Sequence, residues 1–145
     1  MSTNDKFKYV EAMLYNYKNT IAEIKILKRD LEILENDYRG VGSIGFEEKS
    51  GPTNSFNSDV ENEVIKRAEK IQRLKSKIRL KEIEIANIDD SIDYLLDDEQ
   101  LLIRERYFNK KSNKYIASLF NVAEQTSCYY KGRVINKLIP LLISN

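Results

Sequence analysis

The stretch VENEVIKRAEKIQRLKSKIRLKEIEIANIDDSIDYL, residues 60–95, decides the fold because apolar residues recur in it every seven positions. The first heptad series is Val64, Ile71, Ile78, Ile85 and Ile92, and the second includes Val60, Leu74, Ile88 and Leu95. Two apolar positions per heptad form a continuous seam along one side of a helix, as in coiled coils. The spacing therefore predicts a helix over about 58–94, with Ser58 and Glu61 as a capping box at its start.

A second apolar stripe precedes this segment. From about residue 5 to residue 38, apolar residues recur at steps of three and four: Phe7, Val10, Leu14, Tyr17, Ile21, Ile24, Leu27, Leu31, Leu34 and Tyr38. This pattern predicts one long amphipathic helix. Residues 40–58 hold four of the five glycines and Pro52, which predicts a connecting loop. Because each stripe needs a partner, we expect the two helices to fold back as a long antiparallel hairpin of coiled-coil type.

After residue 95 the apolar period changes, which predicts a second unit. Short helices are expected over about 98–108, 113–120 and 124–137, followed by a short apolar tail. The chain is therefore predicted to be all-α, with a hairpin arm over 1–95, its loop at about 40–58, and a small helix-turn-helix domain over 96–145.

Composition excludes several classes of function. The chain has no histidine and one cysteine, Cys128, so the commonest zinc ligand and general base are missing and no internal disulfide can form. The glycines at 40, 42 and 45 match the spacing of a dinucleotide-binding loop, but no strand is predicted before them. The acidic residues between 89 and 98 lack the spacing of metal ligands. We therefore expect no catalytic residue, no metal, no cofactor and no enzymatic activity.

The sequence also argues against a membrane protein. It has no run of about eighteen apolar residues, and its first residues lack the basic and then apolar pattern of a secretory signal. We expect a protein of the cytoplasm, without a membrane partner.

The segment YFNKKSNKYIASLFNVAEQTSCYYKGRVINKL, residues 107–138, has the pattern of a helix-turn-helix. Its first helix would bury Ile116, Leu119 and Phe120, with the small Ala117 where the second helix crosses and Val122 as a plug in the turn. The second helix would pack through Tyr130, Val134 and Leu138 and expose Glu124, Gln125, Cys128 and Tyr129. Between residues 104 and 137 there are eight Lys or Arg against two Glu, which favours an anionic partner.

This pattern predicts a binding site for double-stranded DNA. The start of the second helix of such a unit enters the major groove, where Gln125 can reach base edges and Glu124 can accept from cytosine. Phosphate contacts, which give affinity without sequence specificity, are expected from Lys114, Thr126, Tyr129, Lys131 and Arg133. Cys128 is expected to be a small exposed side chain within the same surface.

A basic stretch between residues 66 and 81 has two interpretations. It holds eight Lys or Arg against Glu69 alone, and residues 66, 70, 73, 77 and 81 share a helix face. This face can lie on a DNA backbone, or it can pair with acidic residues of the first helix, and we favour the second interpretation. Arg67 and Lys81 fall on the apolar seam itself, where an ion pair or a second protomer would have to meet them.

Residues 95–138, LLDDEQLLIRERYFNKKSNKYIASLFNVAEQTSCYYKGRVINKL, resemble region four of bacterial sigma factors. In that region a helix with an acidic start ends in a Tyr-Phe pair and leads through a Ser-containing turn into the helix-turn-helix. Two positions depart from the pattern: Ser127 replaces a branched apolar residue and Lys131 replaces a leucine. The resemblance implies a contact with bacterial RNA polymerase.

Residues 47–66, EEKSGPTNSFNSDVENEVIK, are similar to the loop of phage-encoded regulators of the ArpU/RinA type, which carry a sigma region four-like domain at the C-terminus. This resemblance implies a phage or prophage protein, present in a bacterial host, that activates late genes by binding upstream DNA. It implies DNA contacts at Gln125, Thr126, Tyr129, Lys131 and Arg133 and no catalytic residue.

Two other functions remain open from the sequence. One is a DNA recognition subunit of phage packaging that resembles the small terminase, although such proteins usually place the DNA-binding unit first. The other is a coiled-coil adaptor that binds no nucleic acid. In each case the heptad seam favours a homo-oligomer assembled through the arm.

Overall fold

The computed structural model describes the backbone of residues 1–44 and 54–144 and the side chains of residues 1–37 and 59–144. The elements are α1 (Thr3–Tyr15), α2 (Tyr17–Ile44), α3 (Asn54–Asp93), α4 (Asp97–Ile103), a π-helical turn (Arg104–Phe108), α5 (Asn113–Phe120) and α6 (Glu124–Leu142). No strand occurs in these described ranges, and the prediction of an all-α chain is confirmed.

The first predicted helix is divided at Asn16. This residue leaves the helical conformation, with φ −89° and ψ 2°. Its backbone N–H still donates to Ala12 O at 3.0 Å, and its own carbonyl accepts from Thr20 N at 2.8 Å, so that α2 begins directly after it. Asparagine tolerates this break because its side chain competes with the backbone for hydrogen bonds. The prediction of one uninterrupted helix over 5–38 was therefore wrong.

The predicted loop at 40–58 was too long. Helix α2 continues to Ile44, through two of the glycines, and α3 already begins at Asn54. Ser58 consequently lies inside α3, and the capping box predicted at Ser58 was wrong. The rest of the predicted loop, residues 45–53 with Pro52, lies outside the described residues.

The chain forms two compact units, which are residues Ala22–Glu82 and the pair of segments Met1–Ile21 and Ile83–Asn145. This division differs from the predicted one into 1–95 and 96–145. Helix α1 groups with the C-terminal helices, because its apolar face is buried in the same cluster as theirs. An apolar stripe shows that a helix face is buried, but it does not show which element covers that face.

Within Ala22–Glu82, α2 and α3 pair in opposite directions. Lys28 Nζ lies 3.1 Å from Glu82 Oε2, and Lys75 Nζ lies 3.5 Å from Glu35 Oε1, so rising numbers on α2 meet falling numbers on α3. The apolar seam between them buries Ile24 and Ile78, whereas Val60 and Val64 at its far end are exposed.

Lys81, which the sequence places on the seam, forms an ion pair with Glu23. Its Nζ lies 2.8 Å from Glu23 Oε2, and this contact lowers the pKa of the Glu23 carboxyl. Of the basic face at 66, 70, 73, 77 and 81, Lys81 is the one residue that pairs with an acidic residue of α2 among the described ion pairs, and Lys75, which also pairs with α2, lies outside that face. The favoured interpretation of the basic stretch therefore holds at Lys81 and not along the whole face.

The other unit has one apolar cluster to which α1, α3, α4, the π-helical turn, α5 and α6 all contribute. Its buried members are Val10, Leu14, Ile88, Ile92, Leu95, Leu102, Ile103, Tyr107, Ile116, Val134, Ile135 and Leu138. Full burial of one such aliphatic side chain contributes roughly 1.5–3 kcal/mol. The cluster is therefore the main stabilising feature of this unit and the support on which α5 and α6 rest.

The π-helical turn brings Tyr107 into this core. Asn109 N donates to Arg104 O at 2.8 Å, which closes one wide turn. The Tyr107 hydroxyl donates to Glu11 Oε2 at 2.6 Å, and its ring meets Tyr15 edge-on with the ring centroids 5.0 Å apart. Burial, together with the adjacent Glu11 carboxylate, raises the pKa of the Tyr107 hydroxyl.

A second aromatic contact joins the start of α2 to the same turn. The Tyr17 ring stacks on Phe108 with the centroids 4.1 Å apart, and the Tyr17 hydroxyl donates to Asp89 Oδ1 at 2.6 Å. Burial and the neighbouring Asp89 carboxylate raise the pKa of Tyr17 to about 12. Both tyrosines are thus neutral hydrogen-bond donors at physiological pH, holding α1, α2 and α3 to the C-terminal helices of this unit.

Candidate nucleic-acid interface

A three-residue turn joins α5 to α6. Asn121 adopts the left-handed conformation, with φ 57° and ψ 48°, and its N–H donates to Ser118 O at 3.1 Å. Val122 N then donates to Ala117 O at 2.9 Å, and α6 begins at Glu124. Asparagine is one of the few residues with a side chain that enter this conformation readily. The turn therefore has a local chemical cause, and its position agrees with the predicted one.

Helix α5 begins with a cap at Ser112, whose hydroxyl accepts from Tyr115 N at 3.1 Å. Ile116 and Ala117 are buried as predicted, and Phe120 packs against the apolar cluster. Leu119 was predicted in the core but is 43% exposed, because a helix of two turns buries only the stripe that contains Ile116 and Phe120. Val122, predicted as a buried plug, is half-buried.

The inward face of α6 is offset from the predicted one. Ser127, Val134, Ile135 and Leu138 are buried, whereas Tyr130, predicted to pack behind the helix, is 40% exposed. The inward stripe runs through positions 127, 131, 134 and 138, and the first two of these hold Ser and Lys. Because these two positions are polar, the sequence pattern did not reveal the inward stripe, and it favoured Tyr130 as an inward residue instead.

The outward face of α6 carries three predicted contact residues in line. Gln125, Tyr129 and Arg133 are spaced four apart and are all exposed. The Arg133 guanidinium carbon lies 6.0 Å from the centre of the Tyr129 ring, which places the cation over the aromatic face. The other exposed residues among those predicted are Lys114, Glu124, Thr126 and Cys128.

Lys131 is the exception among the predicted site residues. It lies on the inward side of α6, where its Nζ is 3.4 Å from Glu11 Oε2, and the two side chains are 23% and 22% exposed. Glu11 therefore accepts from Tyr107 and pairs with Lys131 at the same time. Lys131 joins α6 to α1, and its ammonium group is not presented together with Gln125, Tyr129 and Arg133.

Lys137, also on α6, forms a similar ion pair. Its Nζ lies 2.6 Å from Glu99 Oε2 at the start of α4. Burial alone would raise the pKa of the Glu99 carboxyl, but the hydrogen bonds from Lys137 and from the backbone of Leu96 outweigh it and lower the pKa. The Arg106 guanidinium also has a partner within the chain, since it donates to the Tyr15 hydroxyl at 2.6 Å.

The exposed cations that remain near α5 include two that the sequence analysis did not name. Lys110 and Lys111 stand between the π-helical turn and α5, and both are exposed. The Lys111 ammonium lies 5.1 Å from the centre of the Tyr115 ring, and Lys110 has a positive φ of 56°. The signal that could have identified them is the pair of lysines in a predicted loop just before the helix-turn-helix.

One hydrogen bond brings the starts of α5 and α6 together. Asn113 Nδ2 donates to Glu124 O at 3.1 Å, so Lys114, the next residue, lies at the same end of the unit as Glu124 and Gln125. This end therefore combines exposed cations from the start of α5 with polar and aromatic side chains from the start of α6. Such a surface can neutralise phosphates and hydrogen-bond to base edges.

In the part of the chain that the structure describes, no group of three or more His, Cys, Asp or Glu side chains is placed to hold a metal ion. Among the same residues, no helix combines the length and the apolar character needed to cross a bilayer.

Comparisons with protein-family models, with curated proteins and with solved structures found no match to this chain.

Proposed function

We propose that this chain binds double-stranded DNA sequence-specifically through α5 and α6 and regulates transcription. The observation that carries the proposal is the exposed line of Gln125, Tyr129 and Arg133 on α6, directly after a three-residue turn. The opposite side of α6 is anchored by Val134 and Leu138 in the apolar cluster. A helix that is rigidly held on one side and polar on the other has the form that enters a major groove.

Each part of this surface has a separate role in the proposal. The Gln125 amide can pair with both hydrogen-bonding groups of an adenine edge, and it contributes sequence preference. Arg133, supported by the Tyr129 ring, contacts a phosphate beside the groove. Lys110, Lys111 and Lys114 contact the backbone on the other side of the turn, and they contribute affinity that depends on salt. The proposal gives Lys131 no contact with DNA, because its ammonium group already pairs with the Glu11 carboxylate.

The biological setting in the proposal comes from the resemblance to sigma region four and to ArpU/RinA-type regulators. By that resemblance the chain is an activator of phage or prophage late genes in a bacterial cell, with RNA polymerase as a second partner. The proposal assigns it no catalytic step.

The test measures binding to a library of duplexes as a function of salt concentration. Arg133→Ala should weaken binding to all sequences and lower the slope of log affinity against log salt by about one, because one phosphate contact is lost. Gln125→Ala should instead change the ranking of sites, at a cost of about 1–3 kcal/mol on the preferred sequence. Arg29→Ala, the same loss of charge at an exposed position of α2, is the matched control and should change neither quantity.

Three results would count against the proposal. Absence of duplex binding at low salt would favour the coiled-coil adaptor. Equal effects of Gln125→Ala on every site would show that Gln125 does not distinguish bases. Specific binding without any change in the output of a promoter carrying the selected site would favour a packaging subunit over a regulator.

A further inference from the structure

Helix α3 has an uneven distribution of charge along its length. Residues 66–81 hold eight Lys or Arg against Glu69 alone. Residues 82–93 then hold five Asp or Glu and no Lys or Arg. Over residues 66–93 the sign of the charge therefore changes once, between Lys81 and Glu82, and three further acidic residues, Asp59, Glu61 and Glu63, precede this stretch. A second copy of α3 laid parallel in register would bring like charges together, whereas an antiparallel copy would bring opposite charges together.

The outer face of α3 is exposed where this change occurs. Its residues follow one another at steps of three and four, so they share the side opposite the seam: Arg73, Ser76, Leu80, Ile83, Asn87 and Asp90. All six are exposed. Two large aliphatic side chains, Leu80 and Ile83, stand at the centre of this face, with 68% and 39% of their surfaces in contact with solvent.

Among the described residues, no ion pair involves the charged residues of this face. The ion pairs of α3 in the described residues involve Lys75, Lys81 and Glu82, which lie at or beside the seam with α2. Arg73 and Asp90 take part in none of these pairs. The outer face thus has an apolar centre, a basic end and an acidic end, all facing solvent.

We infer that the outer face of α3 binds a second copy of this chain in an antiparallel, two-fold symmetric dimer. When Leu80 of each copy lies level with the second copy's Ile83, Arg73 lies level with the second copy's Asp90, because Arg73 is seven residues from Leu80 and Asp90 is seven residues from Ile83. At 1.5 Å per residue this distance is about 10 Å, so the apolar centre is flanked by opposite charges on both sides. The face is self-complementary, as a two-fold interface must be. This inference does not rest on the proposed binding of DNA.

The test measures the mass of the full chain by sedimentation equilibrium over a range of concentrations. Leu80→Lys should raise the dimer dissociation constant by on the order of tenfold or more, because it places a charge where a leucine would be buried. The matched control is Ile33→Lys, which makes the same kind of change at an exposed isoleucine of α2 and should leave the dissociation constant unchanged. Circular dichroism should show the same helicity for both variants and the parent.

Charge reversal tests the antiparallel register separately. Arg73→Glu should weaken the dimer, and the double variant Arg73→Glu with Asp90→Arg should restore it, because the pairing is then re-formed with its sign exchanged. A strictly monomeric parent chain at working concentration would overturn the inference. It would also be overturned if Ile33→Lys dissociated the dimer and Leu80→Lys did not, or if the double variant were weaker than the single one.

Discussion

Two polar residues, Ser127 and Lys131, occupy inward positions of α6. Lys131 is matched by Glu11, so its charge is compensated at that position. Ser127 is 1% exposed, and its hydroxyl has no hydrogen-bond partner among the described residues. A buried polar group without a partner costs about 1–3 kcal/mol. At this position the chain therefore gives up stability that an apolar side chain would restore.

Replacement of this serine by alanine should stabilise the protein. We expect Ser127→Ala to raise the free energy of unfolding by about 1 kcal/mol, because an unpaired hydroxyl is removed and the helix propensity increases. Chemical denaturation monitored by circular dichroism measures this change. Ser91→Ala is the control: Ser91 is also buried in a helix, but its hydroxyl donates to Asn87 O at 2.7 Å. A gain for Ser91→Ala as large as that for Ser127→Ala would contradict the explanation.

At the scale of the element, α6 has one apolar face that is buried and one polar face that is exposed to solvent. One face is held in the apolar cluster by Val134, Ile135 and Leu138, and the other presents the proposed contact residues. Gly132 lies inside this helix without a positive φ, and beyond the adjacent backbone of its own helix a Cβ there would meet no atom within 4 Å. A glycine in a helix interior costs about 1 kcal/mol relative to alanine. The helix is therefore less stable than its length of 19 residues would allow.

The effect of this glycine can be measured directly. Gly132→Ala should raise the free energy of unfolding by about 0.5–1 kcal/mol, because the unfolded chain loses conformational freedom and nothing obstructs the added methyl group. The reverse change at an exposed interior position of α3, Ala86→Gly, should lower the free energy of unfolding by a similar amount. An unchanged or lower stability of Gly132→Ala would contradict this explanation.

At the scale of the whole molecule, the first and last parts of the chain build one core. Val10 and Leu14 of α1 are fully buried in the cluster that holds α6, and Glu11 between them binds Tyr107 and Lys131. The helix that carries the proposed contacts is therefore supported by residues more than a hundred positions earlier in the sequence. Loss of this support should therefore destabilise α6.

Hydrogen exchange can test this coupling. Leu14→Ala should destabilise the unit by about 2–5 kcal/mol and should speed amide exchange in α6 as well as in α1, since both depend on the same cluster. Exchange in residues 22–37 of the other unit should change much less. Leu96→Ala, the same truncation at an exposed leucine, is the control and should cost less than about 0.5 kcal/mol. Faster exchange confined to α1 would show that α6 does not depend on it.

Much of the candidate surface could be predicted from the sequence. The start of α5, the turn and the start of α6 follow from local signals: Ser112 as a cap, Asn121 as a left-handed residue, and the apolar Ile116 and Val134. Exposure of Gln125, Tyr129 and Arg133 agrees with the prediction. Lys131 could not be placed correctly, because its neighbour Glu11 is distant in sequence and nothing near position 131 signals an inward cation.

The sequence by itself determined that the chain is helical, where α5 lies and where α6 begins, and that Ile24 of α2 and Ile78 of α3 belong to the seam. These properties depend on periodicity, capping and turn chemistry, which act between residues close in sequence. Only the tertiary structure decided that α1 covers α6, that the first helix breaks at Asn16 and that Tyr130 faces solvent. These outcomes depend on which apolar faces meet, and several faces of similar spacing compete for the same partners. Local pattern cannot rank those competitors, because the energy that separates them comes from packing between distant segments.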